Sequence, residues 1–188
     1  VYAGWCSKHI TTLLQSNGCN AMGLAGCDAS LIKASRRAPK LLSDGVTRLD
    51  YGLVGDVKPE SVDAARLLRL IDSGIVPVFC AISHDGHGEL LNTNADTIAS
   101  SISAAIKAEL LYCFEKNGVL YSLDDPSSVI PLLDFNGYTR LKDEGRVAQG
   151  MIPKLDNAFS ALRSGATGVR ILHSSSLLDD GAGTRLAL

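Results

Sequence analysis

The alternation of strand-like and helix-period segments constrains this chain more than any single motif. Ile75-Val76-Pro77-Val78-Phe79-Cys80-Ala81-Ile82 is apolar on both alternations, the pattern of a central parallel strand covered on both faces. Upstream, Pro59-Glu60-Ser61 opens a helix with Val62, Ala65, Leu68 and Ile71 on one side, closed by Ser73-Gly74. Downstream, a polar loop over 83–91 leads to a helix over about 95–107 and a second apolar strand over 109–115. Strand, helix and strand in succession predict βαβ units and an α/β fold.

The remaining segments fit this frame. Residues 1–16 carry Trp5, Ile10, Leu13 and Leu14 on a helical stripe that stops at Asn17-Gly18, and 20–25 reads as a short buried strand. Residues 28–57 lack a long helical period. Two extended pieces, 31–34 and 51–54, around a basic stretch at 33–37 predict a hairpin excursion with a loop at 38–46. A weakly amphipathic helix spans 134–144, and Gly150-Met151-Ile152-Pro153-Lys154 opens a clearer one to Arg163, with Pro in its first turn where no N–H is needed. Residues 169–173 and 185–188 complete the strands. There is no internal repeat.

Composition narrows the class. The 188 residues, 46% of them hydrophobic, suffice for one α/β domain, or one lobe and part of another. Eighteen Lys+Arg against 20 Asp+Glu leave a net charge of −2, and no basic stripe points to nucleic acid or anionic membrane. The favoured ligand is a compact neutral molecule, or an anion held by local groups. No apolar run approaches the ~18 residues of a membrane span and no signal peptide opens the chain, so it reads as soluble and cytoplasmic. Cys6, Cys19, Cys27, Cys80 and Cys113 are odd in number and lack CxxC spacing, which favours free thiols, some buried in strands, over a disulfide frame or zinc site.

Familiar motifs are weak here. Gly86-His87-Gly88-Glu89-Leu90-Leu91 lacks the third glycine of a dinucleotide fingerprint. No Walker loop occurs. His84, Asp85 and His87 imitate a metal cluster but sit in a glycine-interleaved loop, the composition of a solvated hairpin tip. Ser174-Ser175-Ser176 lacks the G-x-S-x-G elbow.

Two segments stand apart. In Asn92-Thr93-Asn94-Ala95-Asp96, two amides and a carboxylate at spacing two precede and open a helix. They either converge on one crevice or simply cap the helix. In Gly150-Met151-Ile152-Pro153-Lys154, a glycine turn, free helix N–H groups and an ammonium together favour a phosphoryl group. The alternative is an exposed lysine on an ordinary amphipathic helix.

With these elements in place, the chain resembles the acetylglutamate kinases of the amino acid kinase superfamily. The matching pieces occur in family order: Val1-Tyr2-Ala3-Gly4, the stretch 20–28, the stretch 50–57, Asn92-Thr93-Asn94-Ala95-Asp96-Thr97, Gly118-Val119-Leu120, Gly150-Met151-Ile152-Pro153-Lys154 and Gly181-Ala182-Gly183-Thr184. Asn-x-Asn-Ala-Asp and Gly-Met-Ile-Pro-Lys are the specific ones.

The resemblance implies a three-layer αβα sandwich with a mainly parallel open sheet, lacking its first strands. It implies the remainder of an N-acyl-L-glutamate lobe at 1–92 and a nucleotide lobe at 93–188. The implied reaction is transfer of the γ-phosphoryl group of ATP, with Mg2+, to the side-chain carboxylate of N-acetyl-L-glutamate in arginine biosynthesis, by a cytoplasmic homodimer. Carried over residue by residue, Asn92 binds the acylated amino acid, Asp96 organises the catalytic lysines and Lys154 stabilises the transferring group. Glu115, Lys116, Asn117, Gly118, Val119, Leu120, Arg146, Val147 and Ala148 line the nucleotide site. The alternatives are N-succinyl-L-glutamate as substrate, or a non-catalytic ligand-binding or regulatory member of the fold.

Two departures bear on this. The family's strand-end Thr-Asp-Val-Pro-Gly is here Phe114-Glu115-Lys116-Asn117-Gly118, which keeps the acid with one more methylene and loses the threonine. The family's first strand, with its lysine and glycine pair, the glycine-rich turn after the second strand and an arginine for the substrate carboxylate have no counterpart. The expectation is a truncated or incompletely represented chain that would not catalyse alone.

Overall fold

Residues 1–122, 124–147 and 150–188 are described by a computed structural model, and they divide into two units, Val1–Ser101 and Ile102–Leu188. In the first, a turn of π-helix, Tyr2–Cys6, runs into α1 (Ser7–Ser16) and then β1 (Ala21–Leu24). The expected apolar stripe does not make the contact: Trp5, Ile10 and Leu13 are exposed, and Trp5 stacks on His9. The helix instead lays Ser7 and Thr11 on Gly23, where an added Cβ would stand 2.5 Å from Ser7 Oγ. Close backbone approach selects for size here, ahead of hydropathy.

The hairpin excursion is present but shifted along the chain. A 3-10 turn, Asp28–Ser30, leads to fully buried Leu31 and Ile32. The strands follow: β2 (Ser35–Arg36), β3 (Lys40–Leu41), β4 (Arg48–Leu49) and β5 (Gly55–Asp56), with β2 antiparallel to β5 and β3 to β4. Arg37 donates through Nε to both carboxylate oxygens of Asp56, at 3.0 and 3.2 Å, which locks the base of the excursion.

Pro59–Ser61 is a separate 3-10 turn, and α2 (Ala64–Asp72) begins only after Asp63, whose side chain accepts from Arg66 N. Val62 therefore lies outside the helix and does not set its face. Leu67 is buried, while Ala65, Leu68 and Ile71 are exposed. Next, β6 (Val76–Phe79) pairs parallel with β1 from Ala21↔Val76 to Leu24↔Phe79. Among the described residues the two strands pair only with each other. The expected central strand is accordingly half-covered, with Val76 exposed and Cys80 buried at its end.

β7 (Ile82–His84) and β8 (Leu90–Asn92) form an antiparallel hairpin, and α3 (Ala95–Ile106) follows. At the hairpin tip Asp85 Oδ1 accepts from His87 N and Glu89 N, and these backbone donors, His87 first, hold its carboxyl below the usual range. His84 Nδ1 accepts from Gly86 N. Among the described residues no three His, Cys, Asp or Glu side chains gather as metal ligands.

Among the described residues the second unit holds a four-stranded sheet, two further helices and the last turn of α3. Its elements are β9 (Glu109–Phe114), β10 (Leu132–Asp134), α4 (Phe135–Asp143), α5 (Ile152–Arg163), β11 (Gly168–His173) and β12 (Thr184–Ala187). The strand order is β10-β12-β11-β9. β10 with β12 and β9 with β11 are parallel, and β11 with β12 antiparallel. The three-residue β10, unforeseen from sequence, runs straight into the Asp134 cap of α4. Tyr138, Leu155, Phe159, Val169, Ile171 and Leu172 are buried to 2% exposure or less, each worth about 1.5–3 kcal/mol if fully desolvated. Tyr138 stacks on Phe159 and donates to Asp156 Oδ1 at 2.6 Å.

The cysteines are all free, as the odd count suggests. Cys113 corrects the burial expectation, because it points outward from β9.

Candidate functional site

In the first unit, β8 carries Asn92 to the foot of α3. Its backbone N donates to Leu53 O at 2.8 Å and its side chain is exposed. A cavity of about 410 Å3 lies beside it, walled mainly by Tyr2, Leu53, Ile82, Leu90 and Leu91. An apolar wall with one amide at its edge suits a ligand with a short acyl group beside polar atoms.

The structure separates the two readings of this segment. Asn94 is the cap: its Oδ1 accepts from Thr97 N at 3.1 Å and lies 3.4 Å from Thr97 Oγ1. Asn92 lies two residues earlier, in the strand, and takes no part in capping. Thr93 is buried against Ser83, hydroxyl to hydroxyl at 2.5 Å, which ties the end of β8 to β7. Asp96 sits in the first turn of α3, half-buried.

In the second unit, β9 ends at Phe114 and the chain turns through exposed Glu115, Lys116 and Asn117 into buried Gly118, Val119 and Leu120. Val119 N donates to Thr184 Oγ1 at 2.8 Å. Gly118 is required by contact: an added Cβ would stand 2.8 Å from Thr184 Oγ1 and 2.9 Å from Val129 Cγ1. Lys116, Gly118, Val119, Leu120, Arg146, Val147 and Met151 line one cavity of about 170 Å3. Six of these seven come from the segments that the family resemblance assigns to nucleotide. Glu115 and Asn117 do not line it, and Ala148 lies outside the described residues.

Two cations near this cavity lie over aromatic rings. The Arg146 guanidinium stands 4.4 Å from the Tyr121 ring centroid, with Glu144 at 3.6 Å. Hydrogen bonding to the Tyr121 hydroxyl is the main cause holding it above the ordinary arginine value. Lys154, third in α5 and half-buried, places Nζ 4.8 Å from the Phe114 ring centroid. Met151, Thr184, Tyr121 and Phe114 have no side-chain role in the sequence reading. For Met151 and Thr184 the only signal was membership in the matched motifs.

Similarity to known proteins agrees with this organisation. A family model described as "Amino acid kinase family" matches residues 1–173. The acetylglutamate kinase of Cytophaga hutchinsonii is 44% identical over 183 residues, 95% of this chain and 66% of that protein. That of Bacteroides fragilis is 44% identical over 190 residues, 99% and 69% respectively. The chain thus spans about two thirds of the length of these curated relatives. Among solved structures, N-acetylglutamate synthase from Neisseria gonorrhoeae superposes with TM-score 0.71 at 19% identity, over 97% of this chain and 45% of that one. Giardia carbamate kinase gives 0.61 at 12% identity, over 98% and 71%. These likenesses establish the α/β fold of the group. By the family match, by identity over nearly its whole length and by fold, the chain belongs to the amino acid kinase family, among the acetylglutamate kinases.

Proposed function

We propose that the protein transfers the γ-phosphoryl group of ATP to the side-chain carboxylate of N-acetyl-L-glutamate, forming an acyl phosphate in arginine biosynthesis. The observation that carries this reading is the gathering of Lys116, Gly118–Leu120, Arg146 and Val147 around one cavity, together with relatives that bear the acetylglutamate kinase name. The same relatives favour acetyl over succinyl as the acyl group.

A carboxylate is already nucleophilic at neutral pH, so the transfer needs no general base. The protein must align two anions and neutralise growing charge. In this proposal Asn92 binds the acylated amino acid and Asp96 orients ammonium groups. Lys154 meets the transferring phosphoryl oxygens, and residues 115–120 and 146–148 hold the nucleotide. In this proposal Mg2+ would be held by the nucleotide phosphates, whose charge it would partly neutralise. A homodimeric state and a cytoplasmic location belong to the same proposal. Among the described residues no helix is long and apolar enough to cross a membrane.

Lys154→Ala in the intact protein should lower kcat by about 10²–10³-fold with an unchanged circular dichroism spectrum. Wild-type turnover in this variant would refute the role.

A further inference from the structure

Gly181-Ala182-Gly183-Thr184 is one of the matched motifs, yet the proposed reaction gives it no part. Buried Arg170, in β11, donates Nη1 to Asp179 O at 2.7 Å and holds the connection between β11 and β12 against the sheet. Gly183 takes φ 86° and lies so close to β11 that an added Cβ would stand 2.7 Å from Leu172 Cβ. The chain therefore enters β12 at a set position. Thr184, fully buried and paired with Ile171, is the first residue of that strand. Its Oγ1 reaches the turn after β9. There it accepts from Val119 N at 2.8 Å, across 65 positions of sequence, while Val119 O accepts from Ile130 N at 2.9 Å. The same hydroxyl occupies the space that a Cβ at Gly118 would need. Gly118 and Val119 line the cavity of the second unit, and Thr184 stands behind them.

We propose that Thr184 is a positioning residue for the nucleotide, its hydroxyl holding Gly118 and Val119 on the backbone course that shapes the cavity. The inference rests on the assignment of this cavity to ATP under the proposed function. The residue type argues for it. A buried N–H requires an acceptor. An acceptor on a side chain satisfies Val119 without extending β9 into a longer ladder, so the turn can curve around a ligand. Burial sharpens the dependence: Val119 and Thr184 are both closed to water, so a lost hydroxyl is answered by movement of the turn and not by a solvent molecule. Support from behind the lining residues is what keeps a binding turn in place before the ligand arrives.

The test uses two pairs in the intact protein, each with and without the hydroxyl at one side-chain size: wild type against Thr184→Val, and Thr184→Ser against Thr184→Ala. The second pair carries the comparison if Thr184→Val does not fold. Thr184→Val should raise KM for ATP, and Kd for a non-hydrolysable ATP analogue, roughly 5- to 30-fold, with kcat and KM for N-acetyl-L-glutamate within about twofold. Thr184→Ala should show the same selective rise. Thr184→Ser should keep KM for ATP close to the wild-type value although the lost methyl lowers its urea midpoint. A hydroxyl that only stabilises the fold would move the midpoint without separating the two KM values. Wild-type KM for ATP in Thr184→Val, or equal values in the Ser and Ala variants, overturns the inference while leaving the cavity assigned to ATP. If the analogue leaves the 15N amide signals of Gly118 and Val119 unmoved in the wild-type protein, that assignment falls instead, and the inference with it.

Discussion

Ala29 and Ser30 are consecutive non-glycine residues in the left-handed region, at φ 48° and 56°. An L-residue there costs roughly 1–2 kcal/mol, and Ala29 is exposed, so its methyl contributes no packing. Ala29→Gly should therefore raise stability by about 0.5–1 kcal/mol after the added freedom of the unfolded chain is subtracted, and urea denaturation will read it. A lowered midpoint would show that the strain is not carried at this residue. Tyr138 poses a different question at the same scale. Burial first, then its hydrogen bond to Asp156 and the charge of that carboxylate, push the phenol far above its ordinary value. A raised folded-state value means that the contribution is complete below about pH 10 and is lost as pH rises through the folded value. Tyr138→Phe should cost about 1 kcal/mol at pH 8 and flatten the alkaline decline of the urea midpoint; an unchanged slope would assign that decline to other groups.

At the scale of elements, the segment 92–96 was the ambiguous one in the sequence, since binding and capping use the same residue types. The strand–helix junction divides the work, with Asn94 as cap and Asn92 at the cavity edge. Asn94→Ala should lose about 1 kcal/mol of stability with little change in substrate binding. Asn92→Ala should keep stability within about 0.5 kcal/mol and raise KM for N-acetyl-L-glutamate. Reversal of the two phenotypes would return Asn92 to a structural role. Apolar periodicity located α3, α5, β9 and β11 well, because these elements bury continuous faces. It located α1 but not the face that packs, because Gly23 admits only small side chains, and it began α2 too early, because Asp63 starts the helix after Val62. Neither cause is visible as hydropathy. The three-residue β10 carries too few positions for a period.

At the scale of the molecule, the two units make the proposed allotment of ligands measurable. Hydrogen exchange with a non-hydrolysable ATP analogue should protect amides around Val119 and Met151 in the second unit. N-acetyl-L-glutamate should protect the β7–β8 hairpin near Asn92 in the first. Exchanged footprints would overturn the allotment. The order of elements, the α/β class and the family motifs were all present in the sequence, because backbone periodicity and motif spacing are local properties of the chain. Which side chains face one another was not. The ring of Phe114 beneath Lys154, Tyr121 beneath Arg146, and Thr184 against Gly118 and Val119 join residues far apart in sequence. Only the folded sheet and its helices bring such positions within a few ångströms, since contact between distant residues depends on the path of the whole chain.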